Sequence, residues 1–440
     1  MRGQTAVSEA RRITKTTRLQ GEVRVPGELR TAAQAFWLAA ISIGDSRFEQ
    51  VPTSAVTTLD ILVDLGVGVA SDNGTVTVSG VGLQGLQQPQ QVIDLQLPAE
   101  AALPALAILS QQSFVSRVRI APESRELALQ LLALLARTGA VGVEESDCLL
   151  HLDGTESPGG ATHEESDLPG PVKLGLLTAG LFAQTPTILR EPTSSKDRVD
   201  VLLKTRGVDV EGSRQLDPTL RTITLTPGSP PQALDLDIAG DLTGALPFIV
   251  AAVAVRRSDV TIRHVVLRPE NRAFVDIVRQ IGAELEIIDN DSGSVDLALK
   301  GSGRMKSTRV ADKRAENLLD HVALLAILAT QTEGEFIIRD IESLREGEYD
   351  FIEHLAGLLR AVQAKVGEYS YGLVIDGGRP LKGARIETRG HPGLAQAFAV
   401  AGLLANGDMD IDDTECVEPV YPGFFDQLDA LRSPKRKETT

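Results

Sequence analysis

Apolar positions in this chain cluster into segments that repeat. Six times a helix rich in Ala, Leu and Ile passes through a short polar turn into a β-branched strand. The copies are TAAQAFWLAAISIGDSRFEQV from Thr31, AALPALAILSQQSFVSRVRIA from Ala101, VKLGLLTAGLFAQTPTILRE from Val172, LTGALPFIVAAVAVRRSDVTIRHV from Leu242, LDHVALLAILATQTEGEFIIRDI from Leu319 and GLAQAFAVAGLLANGDMDIDD from Gly393. These helices are apolar on nearly every side, the signature of burial all round. In most copies a second helix follows, as in SRELALQLLALLARTG, with charges among apolar residues at helical spacing, so it should lie nearer the surface.

The second helices stop at Gly66, Gly139, Gly207 and Gly282, spaced 73, 68 and 75 residues apart. Glycine suits the left-handed position just past a helix end. A strand pair should then close each unit, clearest in GVASDNGTVTVSG, where Asn73-Gly74 between alternating residues signals a tight hairpin. The pattern predicts an α/β protein of six repeated units in two lobes of three, helices buried and sheets outside. The acidic, Gly- and Ser-rich stretch from Asp153 to Asp167 reads as an exposed excursion, and MRGQTAVSEARRITKTTRLQG as a frayed tail without a secretory h-region.

Composition narrows the function classes. The 440 residues carry 44 Lys plus Arg against 60 Asp plus Glu, a formal net charge of −16. Nucleic acid and anionic membranes are therefore excluded as default partners, because phosphate affinity comes from clustered cations. The longest apolar runs are too short to span a bilayer. Cys148 and Cys416 lie far apart, with no CxxC, so neither a disulfide framework nor a zinc site is expected, and a cytoplasmic setting fits. GSGRMKST at Gly301 has Met305 where a phosphate loop needs glycine, and reads as a turn.

Several strings carry a family resemblance. LLDHVALLAILATQTEGEFIIRDIESLREGEYD and TECVEPVYPGFF are the more specific, with VPGELRTAAQAFWLAA and AGDLTGALPFIVAA in support. Together with the sixfold repeat they resemble the enolpyruvyl transferases, the EPSP synthase (3-phosphoshikimate 1-carboxyvinyltransferase) family in particular. The branch acting on UDP-N-acetylglucosamine shares that fold and is the runner-up. The resemblance implies one lobe over 28–239 and a second from 1–27 joined to 240–440, with the active site in the cleft between them. It implies transfer of the enolpyruvyl group of phosphoenolpyruvate onto the 5-hydroxyl of shikimate 3-phosphate, with no metal or organic cofactor. Asp320 falls on the carboxylate that accepts the hydroxyl proton, and Glu348 on the acidic residue beside the transferred group. Asp320 precedes an apolar helix, so a plain capping role competes with the chemical one.

The cation positions depart from the family. Its Lys-Ser pair falls on Leu29-Arg30 and its next Arg on Gln34. The phosphoenolpyruvate-binding Arg falls on Glu126, beside Arg125, and the Ser-Ser-Gln phosphate string on Pro169, Gly170 and Pro171. SKDRVD keeps Ser195 and Asp197, with Lys196 and Arg198 nearby. The Lys and Arg flanking the motif glutamate fall on Gly347 and Phe351, and Asp-His-Arg of the last unit on His391-Pro392-Gly393. Charge-assisted hydrogen bonds contribute about 1.5–3 kcal/mol each, so losing several weakens anion binding by decades. The main expectation is a divergent family member whose reaction is lost or altered, binding a small anionic or less anionic metabolite. Its rivals are a working synthase whose cations come from Arg30, Arg125, Lys173, Lys196, Arg198 and Arg345, and a non-catalytic interaction protein whose partner the sequence does not name.

Overall fold

The computed structural model describes residues 10–433 except 73, 165–167, 194–202, 215–216, 218, 229, 270 and 291–292. The chain divides into two compact units, Gly27–Ile238 and Met1–Pro26 with Ala239–Thr440. Each has its own hydrophobic core.

The all-round apolar helices lie at the centre of each core. In the first unit, Ala99–Ser110 packs against both Leu29–Ala40 and Gly170–Gly180. In the second, Leu242–Ala254, Val322–Thr330 and Pro392–Leu404 pack against one another. Every residue of Val322–Thr330 is buried, as is all of Ala99–Ser110 except Glu100. Small residues set the approach: a Cβ on Gly175 would sit 2.7 Å from Leu131 Cδ2 of the neighbouring helix Arg125–Leu135.

Among the described residues, five four-stranded sheets, one three-stranded sheet and one two-stranded sheet accompany these helices. In four repeats a short strand precedes the central helix and pairs parallel with the strand after it, as Ile93–Leu95 does with Ser116–Ile120. The other two exchange this strand. Gln20–Val23 precedes the helix of the first repeat but pairs with Asp259–Val265 in the fourth, while Leu236–Asp237 precedes the fourth helix but pairs with Ile43–Glu49 in the first. The sixth sheet takes Arg11–Ile13, antiparallel to Met409–Ile411, in place of a hairpin.

The N-terminal stretch expected to fray therefore supplies two strands from residue 11 onward, each an edge strand of a different sheet of its unit. The acidic excursion is also corrected within its described part. It contributes the strand Thr162–His163, paired with Thr187–Pro192, and buries Thr155 and His163. The glycine stops behave as read, with φ of 83° at Gly66, 92° at Gly139, 72° at Gly207 and 86° at Gly282. In the fifth repeat Gln363 holds that place at φ 63°. Asp72 pairs with Thr75 across a two-residue connection whose Gly74 has φ 83°, while Asn73 lies outside the described residues. Met305–Lys306 of GSGRMKST pairs parallel with Thr332–Glu333, so this stretch is a strand and not a turn. Among the described residues no helix is long and apolar enough to cross a membrane.

Candidate functional site

In the unit built from Ala239 onward, three central helices begin around one cavity of about 200 Å³. Its lining comprises Thr243, Leu246 and Pro247 of the first helix, Asp320, His321 and Leu324 at the start of the second, His391, Pro392, Gly393 and Gln396 of the third, and Val420. No lysine or arginine lies among these residues.

Local capping explains how the polar groups are set. Asp241 caps Leu242–Ala254 by accepting from the Thr243 N–H at 2.9 Å. His391 caps Pro392–Leu404 through its side chain, Nδ1 accepting from the Leu394 N–H at 3.3 Å. With Nδ1 so engaged, the neutral ring carries its proton on Nε2. Asp320 stands in the 3₁₀ turn Leu319–His321 that leads into Val322–Thr330, and neither the turn nor the helix has a side-chain cap. The capping role that competed for Asp320 is thus absent, and its exposed carboxylate lines the cavity.

Burial pushes the imidazole of His321 below its ordinary value, against the opposing charges of Asp320 and Asp241. His391 is pushed down the same way, opposed by Asp320 and reinforced by nearby His354. Both rings are therefore neutral at pH 7. Because their folded values lie below the unfolded value of about 6.5, the stability they contribute is present above that pH and is lost as pH falls through the folded values. Thermal melts should accordingly show a decline on acidification below about pH 6.5 that flattens in His321→Gln and His391→Asn. Identical pH profiles for wild type and variants would contradict this assignment.

Among the described residues, none of the other site residues expected from the sequence lines this cavity. Glu348 is exposed on the turn before the helix Phe351–Ala361, and Asp350 caps that helix by accepting from the Glu353 N–H at 2.9 Å. A run of rings connects the turn with the cavity wall: Tyr349 and Phe351 at 6.5 Å, Phe351 and His391 at 5.0 Å. Arg345 is tied within the same turn region to Asp350 at 2.5 Å, Glu368 at 3.3 Å and the Tyr369 carbonyl at 2.8 Å.

In the other unit, Arg30 lies 3.9 Å from Glu28 and 3.7 Å from Glu100. Arg125 forms a two-point pair with Glu144, at 2.7 Å from Nε and 2.5 Å from the terminal nitrogen. Lys173, 4 % exposed, donates to the fully buried Glu191 at 2.9 Å, and Arg221 pairs with the other oxygen of the same carboxylate. Ser195, Lys196 and Arg198 lie outside the described residues. Sequence reasoning did not single out Thr243, Gln396 or the capping role of His391. Only the PG pair after His391, marking a helix start, could have pointed to a capping histidine.

The sequence and the fold place this chain in a transferase family. Residues 13–428 match the family profile described as EPSP synthase (3-phosphoshikimate 1-carboxyvinyltransferase). A protein of Syntrophotalea carbinolica named 3-phosphoshikimate 1-carboxyvinyltransferase is 30 % identical over 97 % of this chain and 100 % of its own length. A Synechococcus protein of the same name is 30 % identical over 94 % of this chain and 97 % of its own. Among solved structures, EPSP synthase from Acinetobacter baumannii superposes with a TM-score of 0.73 at 24 % identity, covering 97 % of each chain. The enolpyruvyl transferase NikO from Streptomyces tendae gives 0.63 at 18 % identity, covering 97 % of this chain and 98 % of its own. The chain belongs to the EPSP synthase family and has its fold.

Proposed function

We propose that this chain is a working carboxyvinyl transferase that moves the enolpyruvyl group of phosphoenolpyruvate onto a ring hydroxyl of shikimate 3-phosphate, with rearranged anion-binding residues. The observation that carries this reading is Asp320: an uncapped carboxylate at the mouth of a cavity, in a chain alike to named transferases over nearly its whole length. In the proposed step Asp320 accepts the hydroxyl proton while the oxygen adds to C2 of the enolpyruvyl group and C3 gains a proton. Loss of phosphate and of the C3 proton then restores the double bond. Lys196 and Arg198, beside Ser195, are the cations proposed for the phosphate groups. Glu348, exposed on its turn, is the proposed second carboxylate.

A second reading, in which the family reaction is lost, is favoured by a specific observation. Arg30, Arg125, Lys173 and Arg345 are each held by carboxylates of the protein itself. The two readings differ in one assay. Incubation with phosphoenolpyruvate and shikimate 3-phosphate should release inorganic phosphate, and both ligands should raise the melting temperature. Silence of both signals at millimolar ligand would replace the first reading with the second.

A further inference from the structure

The enolpyruvyl donor carries a phosphate and a carboxylate, yet no lysine or arginine lines the cavity around Asp320. A cation has to reach the donor from the rim. Arg389 stands there, in the turn just before the helix Pro392–Leu404. The His391 N–H closes this turn on the Thr388 carbonyl at 3.0 Å. Its base is fixed, since Thr388 is fully buried, its N–H donates to the Asp412 carboxylate at 2.8 Å and its hydroxyl to the Asp412 carbonyl at 3.2 Å. At the tip stand Arg389, with φ 53°, and Gly390, with φ 69°. The left-handed region disfavours a long side chain and suits glycine, so a turn selected for shape alone would carry Gly or Asn at 389.

The side chain is oriented but not taken up by the protein's own acids. Its guanidinium lies over the Tyr349 ring at 4.8 Å, and Tyr349 meets His354 edge-on at 5.6 Å. Stacking occupies one face of the guanidinium and leaves the N–H groups in its plane. Glu387 is 3.9 Å away, beyond hydrogen-bond reach, and exposed. Arg125 and Arg345, by contrast, each have a carboxylate at 2.5 Å. Two links tie Arg389 to the site. His391 of the cavity wall is two residues further along the chain, and Tyr349 follows Glu348 and reaches that wall through Phe351. We propose that Arg389 anchors the enolpyruvyl donor, its in-plane N–H groups taking the donor carboxylate as a two-point pair beside Glu348. The planar fork of arginine matches a carboxylate in this way. The motif positions nearest in sequence carry Gly347, Phe351 and Gly393, so the cation comes instead from the turn before the helix. The inference deepens the carboxyvinyl transferase reading and rests on it.

The test compares the full-length wild type with Arg389→Gly and Arg389→Lys, by calorimetric binding of phosphoenolpyruvate and by steady-state phosphate release. Arg389→Gly should melt close to wild type, because glycine suits the left-handed backbone. Its Kd and KM for phosphoenolpyruvate should rise about ten- to a hundredfold, the contribution of one charge-assisted pair. The kcat and the KM for shikimate 3-phosphate should change less than about threefold, the pattern of a group that binds ground and transition state alike. Arg389→Lys keeps the charge without the fork and should fall between the two. Guanidinium ion should restore part of the donor binding to Arg389→Gly, beyond the effect of sodium at the same concentration. An unchanged Kd in Arg389→Gly, or a rise that accompanies a fall in melting temperature, would overturn the proposal. Turnover by the wild type with Arg389→Gly unaffected removes this inference and leaves the transferase reading. Donor binding that depends on Arg389 without turnover removes the transferase reading and keeps the anchor, and absence of donor binding to the wild type removes both.

Discussion

Asp320→Asn should lower the rate of phosphate release by a factor of about 10²–10⁴, the usual contribution of a positioned general base. The amide is nearly the same size and accepts hydrogen bonds through one oxygen, but it takes no proton at neutral pH. No cap is lost with it, since Asp320 caps neither its 3₁₀ turn nor the following helix. The melting temperature should therefore stay close to that of the wild type while turnover falls. A variant that keeps more than about a third of the wild-type rate would remove Asp320 from the chemistry. One that loses rate only in step with its melting temperature would return it to a structural role.

Glu191→Ala should strongly destabilise the Gly27–Ile238 unit. The carboxylate is 1 % exposed and is shared by Lys173, itself 4 % exposed, and Arg221. Removing one partner of a buried ion pair costs about 3–5 kcal/mol, because the remaining charge keeps its desolvation penalty. For a unit of this size each kcal/mol shifts the melting temperature by about 2–4 °C, so a fall of roughly 6–20 °C is expected. Replacing Lys173, Glu191 and Arg221 together by Met should restore most of that loss, since an apolar set of similar volume carries no such penalty. A thermal melt of the single variant within about 2 °C of wild type would show that the pair is not coupled to folding. Lys173 is thus tied into the core of its unit by Glu191.

The fold was legible because burial imposes periodicity. Helices wrapped on all sides must be apolar all round, and six such stretches at a regular interval leave little freedom in the architecture. Glycine stops were readable for the same kind of reason, since a left-handed residue after a helix favours glycine; Gln363 escaped notice because it adopts that conformation without the marker. The strands at Arg11–Ile13, Gln20–Val23 and Thr162–His163 were missed because each is short and polar, and is a strand only by virtue of a partner far away in sequence. The site was less legible. Asp320 could be picked out by motif, but whether an arginine faces solvent, a ligand or a carboxylate depends on tertiary neighbours. Arg125 beside Glu144 and Arg345 beside Asp350 and Glu368 have acidic neighbours that no linear motif reveals. His391 falls on a motif position whose residues are not kept, and its capping contact follows from one backbone N–H.

The exchange of edge strands gives the chain an order of assembly. The first sheet holds Ile43–Glu49 near the beginning of the chain, yet its parallel edge partner, Leu236–Asp237, is synthesised nearly two hundred residues later. Until then that side of Ile43–Glu49 offers unpaired backbone groups, a template for joining another chain. The other unit has the converse problem, since Gln20–Val23 emerges first and waits for Asp259–Val265. A fragment ending before residue 236 is thus expected to expose an unsealed edge, whereas one that includes Leu236–Asp237 can close the first sheet. The boundary that matters for expressing this unit alone is set by two residues at its very end.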